Sequence, residues 1–157
     1  FNTYTQRSIE AVQLAQSIAR TRRNPQMEQL HLLAALLTQE GGLTPQLLKK
    51  MGIVTESLSA AVDQELSKLP AVSGGSEQLY LSAALDESFT AAENQAAAMH
   101  DDYVSVEHLF LGLLDTARGY MTHEKEVYSE VIRLRRGMSV GELNEAEAQM
   151  SKLSGTN

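Results

Sequence analysis

The chain has 157 residues, a formal net charge of −7, three prolines and no cysteine, a size at which one domain buries roughly 70% of its unfolded surface. The lack of cysteine excludes a disulfide framework, cysteine-ligated zinc, iron–sulfur clusters and thiol nucleophiles together, and it fits a reducing compartment. Ala, Leu, Gln, Glu, Met, Lys and Arg supply 85 of the 157 residues and aromatics only 5%, a balance that opposes a β-sandwich or barrel and points to an all-α fold.

In chain order, Ile9, Val12, Ala15, Ile18 and Ala19 follow the three-and-four spacing of a buried stripe and predict a helix over about 5–21. Asn24-Pro25 breaks it. A second helix over about 28–39 carries Leu32, Leu33, Leu36 and Leu37 and stops at Gly41-Gly42. Thr44 before Pro45 reads as a cap that opens a short helix running to Gly52. Thr55-Glu56-Ser57 starts a fourth helix, with Leu58, Val62, Leu66 and Leu69 inward, ended by Pro70. Residues 71–77 form a small polar linker. A long helix over about 80–99 follows, then a break at Asp101-Asp102, then a helix capped by Ser105 that carries Leu109 to Leu114. A last helix is expected over about 123–136, ending at Gly137, and a polar tract fills 138–157.

These elements repeat with an offset of 77 residues: His31-Leu32-Leu33-Ala34-Ala35-Leu36-Leu37 lies over His108-Leu109-Phe110-Leu111-Gly112-Leu113-Leu114. Glu10, Ala15 and Ala19 likewise lie over Glu87, Ala92 and Ala96. The expected architecture is two pseudo-symmetric helical repeats of about four helices each, over about 3–70 and 78–137, forming one compact bundle-like domain over 1–137. The second copy is shorter by ten residues where the proline-opened helix belongs.

Charge is distributed unevenly. No Lys or Arg falls between Lys68 and Arg118, an interval holding eight carboxylates. That is poor equipment for phosphate backbones, so nucleic acid is not an expected partner. Arg20/Arg22/Arg23 and Arg133/Arg135/Arg136 read as last turns of helices, where cations favour the dipole. No apolar run reaches bilayer length and the N-terminus lacks a signal-peptide layout, so a cytoplasmic chain without membrane contact is expected. The dipeptide Gly-Lys does not occur, so the phosphate-binding loop of ATPases is missing. His31, His100, His108 and His123 show no metal-binding spacing, and neither a metal nor a cofactor is expected. His31 and His108 sit just before each Leu-rich stripe, where an imidazole can bond a backbone group at a helix start. A catalytic reading would need a nucleophile and an orienting acid beside His108. Asp101 in the break and Glu107 in the next helix's first turn stand where exposed amides favour a carboxylate.

The doubled pattern, Gln29 to Leu37 and Val106 to Leu114, resembles the Clp N-terminal repeat family over about residues 3–137. The opening Asn2-Thr3-Tyr4-Thr5-Gln6 and the spacer Leu69 to Gly75 are most similar to its ClpB branch, the Hsp100 disaggregases. The resemblance implies a non-catalytic module that engages unfolded or aggregated polypeptides and passes them to ATPase modules of a homohexameric parent, with a co-chaperone system as a further partner. Residues 138–157 would then start the linker toward the first ATPase module. Carried over by motif, polar substrate contacts fall on Thr5, Asp101 and Glu107, and the groove's apolar positions fall on Ala91, Gln95 and His108. The last three depart from the larger apolar residues usual there. Tyr103, in the break, is added from its position alone, as an aromatic able to contact a peptide. An adaptor-docking domain of a ClpA/ClpC-type protease unfoldase is the alternative on the same fold.

Overall fold

Thr5 has extended backbone (φ −69°, ψ 160°) and its hydroxyl accepts the Ser8 N–H, which starts helix α1 at Gln6–Thr21. In a computed structural model that describes residues 3–73 and 78–116, the chain continues through strand β1 (Gln26–Met27), α2 (Gln29–Thr38), α3 (Leu43–Lys50) and α4 (Thr55–Leu66). It resumes with β2 (Tyr80–Leu81), α5 (Ala83–Ala98) and α6 (Val106–Thr116). The described residues are therefore mostly helical, as the composition implies. The helix expected over 123–136 and the tract 138–157 lie outside them.

Helices α2 and α6 carry the Leu-rich stripes and form the centre. Leu32, Leu33 and Leu36 of α2 and Leu109, Phe110, Leu111 and Leu113 of α6 are all at most 1% exposed. Helices with apolar residues on nearly every face stay in solution only when covered all round, and here α1, α3, α4 and α5 provide the cover. Helices α5 and α6 approach closely: a Cβ added to Gly112 would stand 2.4 Å from Ser88 O and 2.8 Å from Ala92 N.

The 77-residue offset holds in the backbone. Thr5 caps α1 as Ser82 caps α5, through Ser8 N–H and Leu85 N–H respectively. Arg23 (φ 60°) and His100 (φ 57°) take the same left-handed conformation after the paired helices. The repeats also exchange short extended segments. Met27 pairs with Leu81 in parallel register, and Tyr4 pairs with Val104, each the other's counterpart. These pairings tie the start of each repeat to the break of the other.

Three local expectations are corrected. Gly42 precedes α3 in extended conformation (φ −67°, ψ 144°), so Thr44 and Pro45 lie inside the first turn; proline fits there because first-turn amides need no intrahelical acceptor. Helix α4 stops at Leu66, and Leu69 follows it outside the helix. Residues 80–81 pair with β1 as a strand, so α5 begins only after Ser82.

Candidate functional site

Each break is held by a histidine at the third position of the helix that follows. In repeat one, His31 Nδ1 accepts the Glu28 N–H at 2.8 Å, which leaves the ring proton on Nε2 to be donated to Asn24 Oδ1 at 2.8 Å. In repeat two, His108 Nδ1 accepts the Ser105 N–H at 2.9 Å, and Nε2 meets Asp101 Oδ2 at 2.8 Å. Both imidazoles are 0% exposed. Burial lowers the His31 pKa to about 4, with the nearby Arg22 charge acting in the same direction.

Ser105 Oγ also lies 2.8 Å from His108 Nδ1, so Ser105, His108 and Asp101 are connected as in a hydrolase triad. Burial separates the two cases. Ser105 and His108 are both 0% exposed, leaving no approach to Ser105 Oγ for a carbonyl. In repeat one Glu28 N–H and Asn24 Oδ1 hold His31 in the same way, with no hydroxyl on Nδ1 and an amide in place of the acid on Nε2, so this constellation is a fastening for the break.

The residues expected to contact substrate fall into two groups. Thr5, Asp101, Tyr103, Glu107 and His108 are gathered where the start of α1 meets the start of α6. There Thr5 N–H donates to Val104 O at 3.0 Å, and Ser8 Oγ donates to the same oxygen at 2.9 Å. Of these, Tyr103 is 51% exposed, Asp101 is partly exposed, and Thr5, Glu107 and His108 are buried, at 7%, 2% and 0%. Ala91 and Gln95 stand apart on α5, one turn from each other and both half-buried; Gln95 Nε2 donates to Asp115 Oδ2 at 2.8 Å, across to the last turn of α6. His108 thus sits beneath the surface, bonded to Asp101. Sequence reasoning missed Ser105's part in holding His108, and also Tyr4, whose hydroxyl donates to Glu93 Oε2 at 3.1 Å. Burial and the Glu93 carboxylate raise the Tyr4 pKa. The offset of 77, applied to Asn24 and Glu28, points directly at Asp101 and Ser105.

Among the described residues, surface cavities open against repeat one. One, about 380 Å³, lies between α1, α2 and α4, against Leu14, Ile18, Leu37, Val62 and Leu66. Another, about 350 Å³, lies over the break, against Pro25, Leu69, Pro70 and Tyr80. Neither includes a residue expected to bind substrate. Among the described residues no group of three or more His, Cys, Asp and Glu is placed to hold a metal ion, and no helix is long and apolar enough to cross a membrane.

The described residues thus form a tandem helical repeat fastened at each break by a buried histidine. The Clp repeat (R) N-terminal domain matches residues 3–124, and the chain belongs to that family. It is 38% identical over 146 residues to the chaperone protein ClpB of Porphyromonas gingivalis, covering 88% of this chain and 17% of that protein. It is 39% identical over 115 residues to ClpB of Nitratidesulfovibrio vulgaris, covering 71% of this chain and 13% of that protein. The chain therefore spans under a fifth of these relatives' length. The fold is shared with the Hsp104 N-terminal domain from Candida albicans at TM-score 0.68 and 23% identity, over 98% of this chain and 93% of that one. It is shared also with a ClpV N-domain in complex with VipB peptide, at TM-score 0.63 and 19% identity, over 86% of this chain and 84% of that one.

Proposed function

We propose that this chain is the substrate-capturing N-terminal domain of a ClpB-type disaggregase, binding unfolded or aggregated polypeptide through the break between α5 and α6. The observation that carries the reading is the fastening of Asp101. A buried imidazole fixes one carboxylate oxygen of Asp101, whose side chain keeps 8% exposure beside the exposed Tyr103. A fixed acceptor next to an aromatic suits an unfolded chain, which offers amide donors and apolar side chains together. The domain does no chemistry of its own in this reading; the ATPase modules of a hexameric parent supply the work. Capture is weak, because ordering a flexible segment costs several kcal/mol, and weak capture lets the segment be passed on.

The ClpV N-domain with VipB peptide favours a second reading, in which the same surface docks an adaptor or partner peptide, as in a ClpA/ClpC-type unfoldase. Titrating the 157-residue chain with a permanently unfolded polypeptide separates the two. Binding that weakens in both Asp101→Ala and Glu107→Ala supports capture. No binding by the parent sequence, or equal binding by all three proteins, refutes it.

A further inference from the structure

The cavity of about 350 Å³ over the break of repeat one is lined by Asn24 and Glu28 together with Pro25, Leu69, Pro70 and Tyr80. Most of the polar groups there are already bonded within the chain. The N–H groups of Asn24, Leu69 and Tyr80 donate to Ala19 O, Leu66 O and Pro25 O at 3.0, 3.1 and 3.0 Å, and the Glu28 N–H donates to His31 Nδ1 at 2.8 Å. Pro25 and Pro70 have no N–H to give. Asn24 uses both ends of its amide, Oδ1 on His31 Nε2 and Nδ2 on Pro70 O at 3.0 Å. The Glu28 side chain is the exception: its Oε1 is buried and has no hydrogen-bond partner. The histidine fastening engages the Glu28 main chain, and the matching position of repeat two is Ser105, whose hydroxyl does meet the ring.

A buried carboxylate oxygen without a donor is unfavourable, and a donor brought into the cavity relieves it. The surroundings set what that donor can be. A cation makes the stronger, charge-assisted bond. One open oxygen suits an ammonium, whose donors turn about a single centre, better than a guanidinium, whose rigid fork wants two acceptors side by side. Pro25, Leu69 and Pro70 present apolar surface, and Tyr80, 55% exposed, adds an aromatic ring of the kind that attracts a cation. A peptide backbone finds little to pair with here, since the N–H groups are bonded or missing and the carbonyls of Pro25 and Pro70 each already accept a hydrogen bond. An alkyl chain carries no such demand.

We propose that this cavity is a binding site for a small primary amine in its ammonium form. The ammonium bonds Glu28 Oε1, and a short alkyl chain packs against Leu69, Pro70 and Tyr80. None of these residues belongs to the Asp101 break, so the inference goes beyond the capture reading and stands or falls without it.

The test is an amide chemical-shift titration, by NMR, of the isotope-labelled 157-residue chain at neutral pH. The ligands are n-pentylamine, its neutral counterpart n-pentanol, n-pentylguanidine, and Nα-acetyl-lysine methylamide, which carries the same ammonium on a peptide unit. Pentylamine moves the amides of Glu28, Leu69 and Tyr80 saturably and binds about fivefold or more tighter than each of the other three. Glu28→Gln keeps an oxygen at the site without the charge and abolishes the preference for pentylamine over pentanol. Tyr80→Ser weakens pentylamine about threefold; its exposed side chain takes no part in the fastening, so it carries the test should Glu28→Gln fail to fold. Shifts that do not saturate, equal binding of pentylamine and pentanol, or a preference unchanged in Glu28→Gln overturns the site. Pentylguanidine binding as tightly overturns the choice of ammonium, and the lysine derivative binding as tightly overturns a free amine as the occupant. Capture of an unfolded polypeptide enters none of these readouts, so its failure is separately visible.

Discussion

Asp101 Oδ2 lies 2.8 Å from His108 Nε2, and the imidazole is wholly buried while the Asp101 side chain keeps 8% exposure. His108 is committed on its other side to the Ser105 N–H, so the ring cannot turn without losing two bonds. The carboxylate is held from below by a rigid group at the meeting point of two helices. Repeat one makes the corresponding bond with an uncharged amide, Asn24 Oδ1 at 2.8 Å from His31 Nε2. The two breaks therefore separate hydrogen-bond acceptance from charge at one equivalent position.

That separation predicts different outcomes for two substitutions at one position. Asp101→Ala removes the acceptor from a buried ring N–H and should cost about 2–3 kcal/mol. Asp101→Asn restores an acceptor of the kind Asn24 provides and should stay within about 1 kcal/mol of the parent. Urea unfolding of the two variants measures this; equal losses would mean that charge, not hydrogen-bond satisfaction, holds the break.

His31 makes stability depend on pH. Its folded pKa of about 4 lies below the ordinary 6.5, so between those values the unfolded chain binds a proton that the folded chain refuses. Stability is therefore complete above about pH 6.5 and falls as the pH drops toward 4, by roughly 3 kcal/mol from this group. In His31→Gln, which keeps an acceptor and a donor without a titrating ring, the fall over this window should be smaller by about that amount. Unfolding curves at a series of pH values decide it, and parallel curves for the two proteins would exclude His31 as the cause.

Gly112→Ala tests the helix crossing. Alanine is the better helix former by about 1 kcal/mol, but its methyl would meet backbone atoms of Ser88 and Ala92 at 2.4 and 2.8 Å. Backbone cannot rotate aside, so the crossing must widen, and a net loss of about 2–3 kcal/mol is expected. In repeat one the same crossing position is Ala35, already 0% exposed, and Ala35→Gly should cost about 1 kcal/mol or more through lost propensity and a small void. Opposite preferences at two positions 77 residues apart would appear directly in their melting temperatures.

The parts of the fold that depend on neighbours in sequence were legible in it. Ile9 to Ala19 and Leu32 to Leu37 announce α1 and α2 through spacing alone, and the repeated His-Leu runs expose the duplication. The parallel pairing of Met27 with Leu81 was not legible, because two residues show no alternation and their partner lies in the other repeat. Thr44-Pro45 reads as a helix start from local preference, yet Gly42 takes that role because the chain turns earlier, with Leu43 buried. At the site, the location of Asp101 and Tyr103 in the break between two helices was legible from position. Burial of Glu107 and His108 was hidden, since a charged residue in a first turn normally faces water.

Tyr103 and Tyr80 make a matched pair for the last prediction. Both are exposed, at 51% and 55%, and each adjoins one of the two inter-repeat pairings, Tyr103 before Val104 and Tyr80 opposite Gln26. Exposed side chains contribute little to folding, so Tyr103→Ser and Tyr80→Ser should each change stability by no more than about 0.5 kcal/mol. Binding should divide them. Tyr103 stands beside the fixed carboxylate of Asp101, and its loss should weaken capture of an unfolded polypeptide by about fivefold or more. Tyr80 stands at the break of repeat one, already crossed by the segment from Leu69 to Val72, and its loss should leave capture unchanged. Titration of both variants with one labelled unfolded polypeptide is sufficient: equal weakening would mean that any exposed aromatic on this domain contributes, and would remove the distinction between its two breaks.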